Sequence, residues 1–385
     1  MTTPEPFQEL NQLYFSGQTN LALKILYPKV ETLSSSFFSK DYTQHDIFFG
    51  QFTPIWNDLL IKHRYPEAEE IWHIALSIAN NWEKTHAPIH KGTPYYFLGV
   101  SQILNNNLED GFFSMHQALE EDKRTLTSKN PTTPAYFFTT LDYDNAGQFF
   151  RPKLIEISQY LSQLLTSYNK ERSGNLSLND FKKEFLENIS LREEIFIFVY
   201  SLFKLKKLLI DTDKEILQNE LSAILHSKLF FDVSLIIEKI IEYKNPAFPG
   251  NTKLMFSDEM AFLRQNGLLT FTQVQFDQFN RDFNNDFKNT LKAVLNKTYT
   301  INLPNIEDDL MITYRIRNFA AHKIQTEDVF YEENVAISQR LFNVLFFIIE
   351  KLYNPQKITS STTVTTTSKQ IAETSVTNIP PHYQI

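Results

Sequence analysis

The chain is organised around nine residues in its C-terminal half, Tyr314-Arg315-Ile316-Arg317-Asn318-Phe319-Ala320-Ala321-His322. They lie near the end of one predicted helix and ahead of another. Arg317 is permanently cationic and presents five donors in a planar fork, a geometry that suits phosphate. His322 has a side chain whose unperturbed pKa lies near neutrality, so it can exchange protons at physiological pH. Together the two residue types have the chemistry needed to cut a phosphodiester without a metal ion.

The composition of the whole chain favours helices. The chain has 385 residues, enough for two or three domains with sizeable cores. It contains only nine Gly but 34 Phe, and its Leu, Ile and Phe residues recur at helical spacing with few strand or turn signals. We therefore predict an all-α protein, in which an N-terminal array of helical hairpins precedes a C-terminal helical bundle.

The first 170 residues carry a turn-and-helix pattern that recurs three times. Small residues at Ala22, Ala68 and Gly111 mark the copies, and they would let paired helices approach closely. The copies are 46 and 43 residues apart, more than the roughly 34 of a tetratricopeptide repeat, whose first helix the stretch 96–99 resembles. We interpret residues 1–170 as a degenerate tetratricopeptide-like region. A sensor or regulatory region that binds a protein or ligand and a plain packing scaffold both remain open.

A polar break at 171–177 marks the predicted boundary between this region and the bundle. The bundle is predicted over 178–355, and the tail 356–385, rich in Ser and Thr, is predicted to be disordered. Residues 125–144 are interpreted as a loop. Helices are predicted over 151–170, 178–210, 213–245, 257–266, 272–297, from Pro304-Asn305 through the motif, and over 328–353.

Several function classes are disfavoured. The chain has no Cys, which excludes disulfides, thiolate metal sites and a Cys nucleophile, and fits a cytoplasmic location. No basic segment followed by an apolar stretch opens the chain, and the most apolar segment, 341–349, is too short to cross a bilayer, so neither a signal peptide nor a membrane span is predicted. The formal net charge of −8 argues against broad, sequence-independent binding of nucleic acid, but it allows a small basic pocket.

Two short patterns suggest a metal ion and are interpreted otherwise. Asp142 to Gly147 begins like a calcium loop, but Ala146 and Lys153 occupy positions that need oxygen ligands, so a turn is predicted. His86 and His90 are four residues apart, yet a proline lies between them and no carboxylate partner is evident. No metal and no cofactor are therefore predicted.

Residues 190–355 resemble the HEPN superfamily (higher eukaryotes and prokaryotes nucleotide-binding). Its ribonucleases carry an Arg, a polar residue such as Asn, and a His a few positions later, as Arg317, Asn318 and His322 do here. The segment 227–238 also looks like the second helix of the family, whereas about 50 residues at 246–300 depart from its minimal four-helix pattern.

This resemblance implies a metal-independent endoribonuclease that acts as a homodimer through the C-terminal bundle. Arg317 would stabilise charge on the phosphate, His322 would transfer a proton, and Asn318 would orient the His or the RNA. The family also implies a toxin or antiviral-defence setting. One relative is silenced through a Tyr two residues after the His, and here that position is Ile324, which puts such control in doubt.

Alternatives remain open at each residue. Arg317 would also pair with an acid such as Glu327 or Asp328, and His322 would also serve as a cation at a helix C-terminus. Arg315 fits a flanking phosphate contact or a surface charge. Glu238 and Asp232 are read as groups behind the site or as salt-bridge partners. The competing class is a non-catalytic helical interaction module, and a continuous tetratricopeptide-like scaffold is a third possibility.

Overall fold

The computed structural model describes residues 9, 12–13, 15–26, 45–125, 132–213, 219–246, 255–301, 303–322 and 327–354. Within these ranges the chain is helical and contains no strand, which confirms the all-α prediction. The predicted tail 356–385 lies outside the described residues. The helices are α1 (19–26), α2 (His45–Gly50), α3 (Thr53–Ile61), α4 (Tyr65–Glu83), α5 (Gly92–Leu104), α6 (Leu108–Thr125), α7 (Pro134–Thr139), α8 (Arg151–Arg172), α9 (Leu178–Phe181), α10 (Arg192–Asp213), α11 (Asn219–Glu242), α12 (Phe256–Gln265), α13 (Gln273–Asn285), α14 (Phe287–Leu295), α15 (Asn305–His322), α16 (Val329–Glu332) and α17 (Asn334–Ile348).

In the N-terminal part of the chain, each of the helices α3 to α6 packs against the next along the chain. Gly99 on α5 and Gly111 on α6 lie where these two helices touch. A Cβ atom added to Gly99 would come within 2.9 Å of the Gly111 carbonyl oxygen. A Cβ atom added to Gly111, the small residue that the repeat pattern singles out, would come within 2.5 Å of the Ile103 side chain and 3.1 Å of the Gly99 carbonyl oxygen.

Replacing Gly99 by Ala is expected to destabilise the protein by about 1–3 kcal/mol, the usual cost of overpacking. The new methyl group would push α5 away from α6. Gly50→Ala is the matched control, because nothing lies within 4 Å of its added Cβ and Ala is the better helix former. Urea unfolding of both variants measures the difference. An equal free energy of unfolding for the two would contradict the close approach.

The C-terminal bundle is built around α11, which packs against α10, α12, α15, α16 and α17. Helix α15, which carries the motif, also packs against α17. Helix α8, which the sequence places in the N-terminal region, packs against α10 and α17. One continuous cluster of buried apolar side chains runs through both parts of the described chain.

A buried polar cluster fixes the beginning of α15. Asp309 is completely buried and accepts hydrogen bonds from Arg172 of α8 at 2.6 and 3.0 Å. It also accepts from Arg340 at 2.6 Å and from the amide of Asn343 at 3.0 Å, both on α17. The carboxylate thus joins three helices and sets the position of the motif helix relative to α8 and α17.

Three long predicted helices are interrupted, and at two of the breaks a side chain accepts a hydrogen bond from a backbone N–H. The segment 178–210 breaks at Asn188, whose side chain accepts from the Ser190 N–H. The segment 272–297 divides at Asp286, which caps α14 by accepting from the Asn289 N–H at 3.1 Å. The segment 328–353 divides at Glu333. Side-chain acceptors that satisfy backbone N–H groups compete with continuation of a helix, and hydrophobic periodicity does not register them.

Two further segments differ from their predictions. Residue 213, at which the predicted helix 213–245 begins, lies instead at the end of α10. The predicted loop 125–144 contains the short helix α7, whose first turn is capped by Thr133.

Candidate functional site

The motif lies on a single helix, α15, which continues unbroken through His322. Residues five apart on an α-helix are separated by about 140° around its axis. Arg317 and His322 are therefore not brought together by an end of the helix between them. The side chain of His322 lies outside the described part of the structure.

Arg317 is held by Glu238, a residue of α11. Its Nε donates to one carboxylate oxygen of Glu238 at 3.0 Å and its Nη2 to the other at 3.2 Å. Its Nη1 donates to the side-chain oxygen of Asn318 at 3.3 Å. A planar guanidinium gripped through two parallel hydrogen bonds has a fixed orientation. The expected partners Glu327 and Asp328 do not take this role, and Asp328 instead lies 3.7 Å from Lys288.

Arg317 and Asn318 both line a pocket of about 430 Å³. Its other walls come from α12, α13 and α14, within the insertion that departs from the family pattern. The polar side chains that line the pocket are those of Ser257, Asn284, Tyr314, Arg315, Arg317 and Asn318. A concave site with a few convergent polar groups among apolar ones is the usual form of a ligand site.

Arg315 lies in the wall of this pocket and is only 9% exposed, so the expectation of a surface charge was wrong. Its Nη1 donates to Asn280 at 3.1 Å and its Nη2 to Asn284 at 2.5 Å. The guanidinium carbon lies 5.7 Å from the centre of the Phe283 ring. Burial lowers the pKa of Arg315, although a guanidinium keeps its charge in proteins.

A group of carboxylates lies behind Arg317. Glu259 is almost completely buried, and the amide of Asn245 donates to it at 3.4 Å. Burial, followed by the charges of Glu242, Glu238 and Asp258, raises the pKa of Glu259 to about 7. Glu242 is paired with Lys239, and Glu238 with Arg317. Among the described residues, no cation forms a salt bridge with Glu259, which is the most deeply buried acid of this group.

Replacing Glu259 by Gln is expected to stabilise the protein at pH 8 by about 1–3 kcal/mol and to change little at pH 5. The pKa of Glu259 is raised from 4.5 in the folded state, so the native state binds this proton more tightly than the unfolded chain does. Stability is therefore lost as the pH rises from about 4.5 through 7, and a neutral Gln avoids that loss. Urea unfolding at both pH values measures the effect. An equal gain at pH 5 and pH 8 would show that ionisation of Glu259 is not the cause.

Other residues singled out in the sequence lie elsewhere. His86 stacks on Trp82 with ring centres 3.5 Å apart, and His90 lies 3.5 Å from Asp122. Asp142 accepts from the Asp144 N–H in a turn. Among the described residues, no group of three His, Asp or Glu side chains is arranged to hold a metal ion. No helix in the described ranges has both the length and the apolar character needed to cross a membrane.

Comparison of the chain with protein-family models, with curated proteins and with solved structures finds no match. The class that the structure defines is therefore an all-α protein with a polar pocket on its motif helix. The family and the activity are proposals drawn from the motif and the pocket.

Proposed function

We propose that the protein is a metal-independent endoribonuclease of the HEPN type that acts in the cytoplasm. The observation that carries the proposal is the arrangement of Arg317. Glu238 holds Arg317 in a fixed orientation beside Asn318. Arg317 and Asn318 both line the pocket, and they lie on the same helix as His322. A preorganised cation in a pocket is what stabilisation of a developing phosphoryl charge requires.

RNA supplies its own nucleophile, because the 2′-hydroxyl lies beside the phosphate to be cut. The 2′-oxygen bonds to phosphorus as its proton passes to a base, and the bond from phosphorus to the 5′-oxygen breaks as that oxygen takes a proton. The products are a 2′,3′-cyclic phosphate and a 5′-hydroxyl. We assign proton transfer to His322, charge stabilisation to Arg317, and orientation of the histidine or the RNA to Asn318.

The proposed site is completed by a second copy of the chain. Arg317 and His322 are about 140° apart on one unbroken helix, and Arg317 is fixed toward α11 by Glu238. If the histidine comes from a second copy of the chain, it can approach Arg317 without having to reach around the helix. We therefore propose a homodimer through the C-terminal bundle, with the N-terminal hairpins as a regulatory region that binds a protein or ligand. The resemblance to the HEPN superfamily implies a toxin or antiviral-defence role for such an enzyme.

The test is incubation of purified protein with RNA in EDTA, with and without an extract that supplies a candidate activator. Mass spectrometry of the fragment ends detects 2′,3′-cyclic phosphates. Such ends, formed without metal, support the proposal. Intact RNA after incubation with folded, dimeric protein in the presence of the activator would reject it.

One observation favours a second candidate, a non-catalytic interaction module. The carboxylate of Glu238 accepts hydrogen bonds from both the Nε and the Nη2 of Arg317, and a purely structural ion pair has the same geometry. On that reading Arg317 joins α11 to α15, and its replacement lowers the free energy of unfolding. The same incubation separates the candidates, because the module leaves RNA intact at every protein concentration.

A further inference from the structure

We infer that the pocket lined by Arg315, here called the Arg315 pocket, binds a phosphate-bearing ligand the size of a mononucleotide, with the Arg315 guanidinium as its anion ligand. The ligand is either a free nucleotide or one nucleotide of an RNA strand, and the phosphate is common to both. Only the second source rests on the proposed function. This inference gives the insertion α12–α14 a role, because its residues line the pocket together with those of α15.

The first step is the missing counter-charge of Arg315. Buried charges in proteins are almost always paired with an opposite charge. The two other deeply buried arginine side chains here, Arg172 and Arg340, follow this rule and share Asp309, and the partly exposed Arg317 is paired with Glu238. No carboxylate among the described residues forms an ion pair with Arg315, although it is more than nine-tenths buried.

The second step is the nature of the groups that do contact Arg315. Asn280 and Asn284 are neutral, lie four residues apart on α13, and offer only their side-chain oxygens. The Nε of Arg315 has no hydrogen-bond partner among the described residues. The amides position the guanidinium while leaving its charge uncompensated, and an anion supplied by a ligand would compensate it.

The third step is the surroundings. The pocket of about 430 Å³ falls within the range of small-ligand sites. Arg317, Asn318 and Ser257 add donors to its lining, and the aromatic side chains of Phe256, Phe287 and Tyr314 add apolar surface. Guanidinium groups bind phosphate oxygens through paired hydrogen bonds, and aromatic surface suits a nucleobase. This combination favours a nucleotide over a small inorganic anion.

The decisive variant is Asn284→Asp, which places a carboxylate where a side-chain oxygen already lies 2.5 Å from Arg315. It gives the arginine an internal counter-ion, so the variant is expected to unfold at the same temperature as the wild type or higher. Its affinity for 5′-AMP is expected to fall at least about tenfold. Asn285→Asp makes the same change of net charge on the next residue, which does not line the pocket. Its affinity is expected to change less than about twofold, because a surface charge without a direct contact to the ligand or to Arg315 is screened by solvent.

Binding is measured by calorimetry in EDTA, with inorganic phosphate, 5′-AMP and a 2′-O-methyl RNA trinucleotide as separate probes. Every variant is made in a His322→Ala background, so that binding is read without cleavage. Binding of 5′-AMP or of the trinucleotide that Asn284→Asp weakens and Asn285→Asp retains supports the pocket, and the tighter probe identifies the source. Absence of binding by both nucleotide probes, or equal losses in the two variants, overturns it. If the trinucleotide binds but the wild-type protein cleaves no RNA, the proposed nuclease is rejected and this inference still stands.

Discussion

Equal amounts of Arg317→Ala protein and His322→Ala protein, mixed and allowed to exchange subunits, are expected to recover about one quarter of wild-type RNA cleavage. Each variant alone is expected to be impaired strongly. Loss of a general acid or base costs about 10²–10⁴ in rate, and loss of a preorganised donor costs about 10²–10³. The recovery follows from a site that takes its arginine from one protomer and its histidine from the other.

The arithmetic follows from two-fold symmetry. Random exchange makes about half of the dimers mixed, and each mixed dimer has one complete site of two. The other site lacks both residues, so roughly one quarter of the wild-type sites remain. A site built within one protomer leaves a defect in every copy, and mixing then recovers nothing.

Two exposed residues provide matched controls. Arg281→Ala removes an arginine from the surface of α13, and His73→Ala removes a histidine from the surface of α4. Both are expected to cleave RNA at the wild-type rate. Cyclic-phosphate formation from a labelled RNA gives the rate, and light scattering confirms the dimer. Failure of mixed, dimeric, folded variants to recover activity would contradict the shared site.

Sequence reasoning located the motif helix because the signals that define it are local. Pro304 and Asn305 begin α15, and the acids Glu307 and Asp308 occupy its first turn, where the helix dipole favours them. Apolar spacing then runs through to the motif. Capping and periodicity need only neighbours within a few residues, and such features can be recognised without a structure.

The surroundings of the motif arginines were not predictable in the same way. Arg317 is bound by Glu238, which lies 79 residues earlier and was only one of several acids available. Arg315 is bound by Asn280 and Asn284 from the insertion, and nothing in the motif distinguishes a buried arginine from an exposed one. Side chains distant in sequence decide burial and partnership, so the candidate residues were recognisable while their environment was not.

The packing of α8 shows the same limit for domain organisation. The polar break at 171–177 was interpreted as the boundary between two regions, because composition changes there. Arg172 at the end of α8 nevertheless reaches Asp309, 137 residues later, inside the bundle. A change of composition marks a turn of the chain, whereas the contacts of the flanking helices decide what packs together.

Asp309→Ala is expected to lower the free energy of unfolding by about 3–5 kcal/mol, the largest effect on stability that we predict. The carboxylate is completely buried and is shared by Arg172 and Arg340, which are 5% and 9% exposed. Its removal leaves two buried cations without a counter-ion and breaks the contact of α15 with α8 and α17. Urea unfolding followed by circular dichroism measures the loss.

The neighbouring acid is the matched control. Burial, and next the charge of Asp309, raises the pKa of Asp308 to about 7, so the folded protein binds this proton more tightly than the unfolded chain does. Asp308→Asn at pH 6 should therefore leave stability unchanged or raise it. A triple replacement of Arg172, Asp309 and Arg340 by Met, Leu and Met is expected to recover most of the loss, because well-packed apolar groups can substitute for a buried ion cluster.

A loss below about 1 kcal/mol in Asp309→Ala, or an equal loss in Asp308→Asn at pH 6, would mean that the cluster does not hold the motif helix. The motif helix would then depend on its apolar face alone, and the fixed position of Arg317 would rest on Glu238 and the packing of α11.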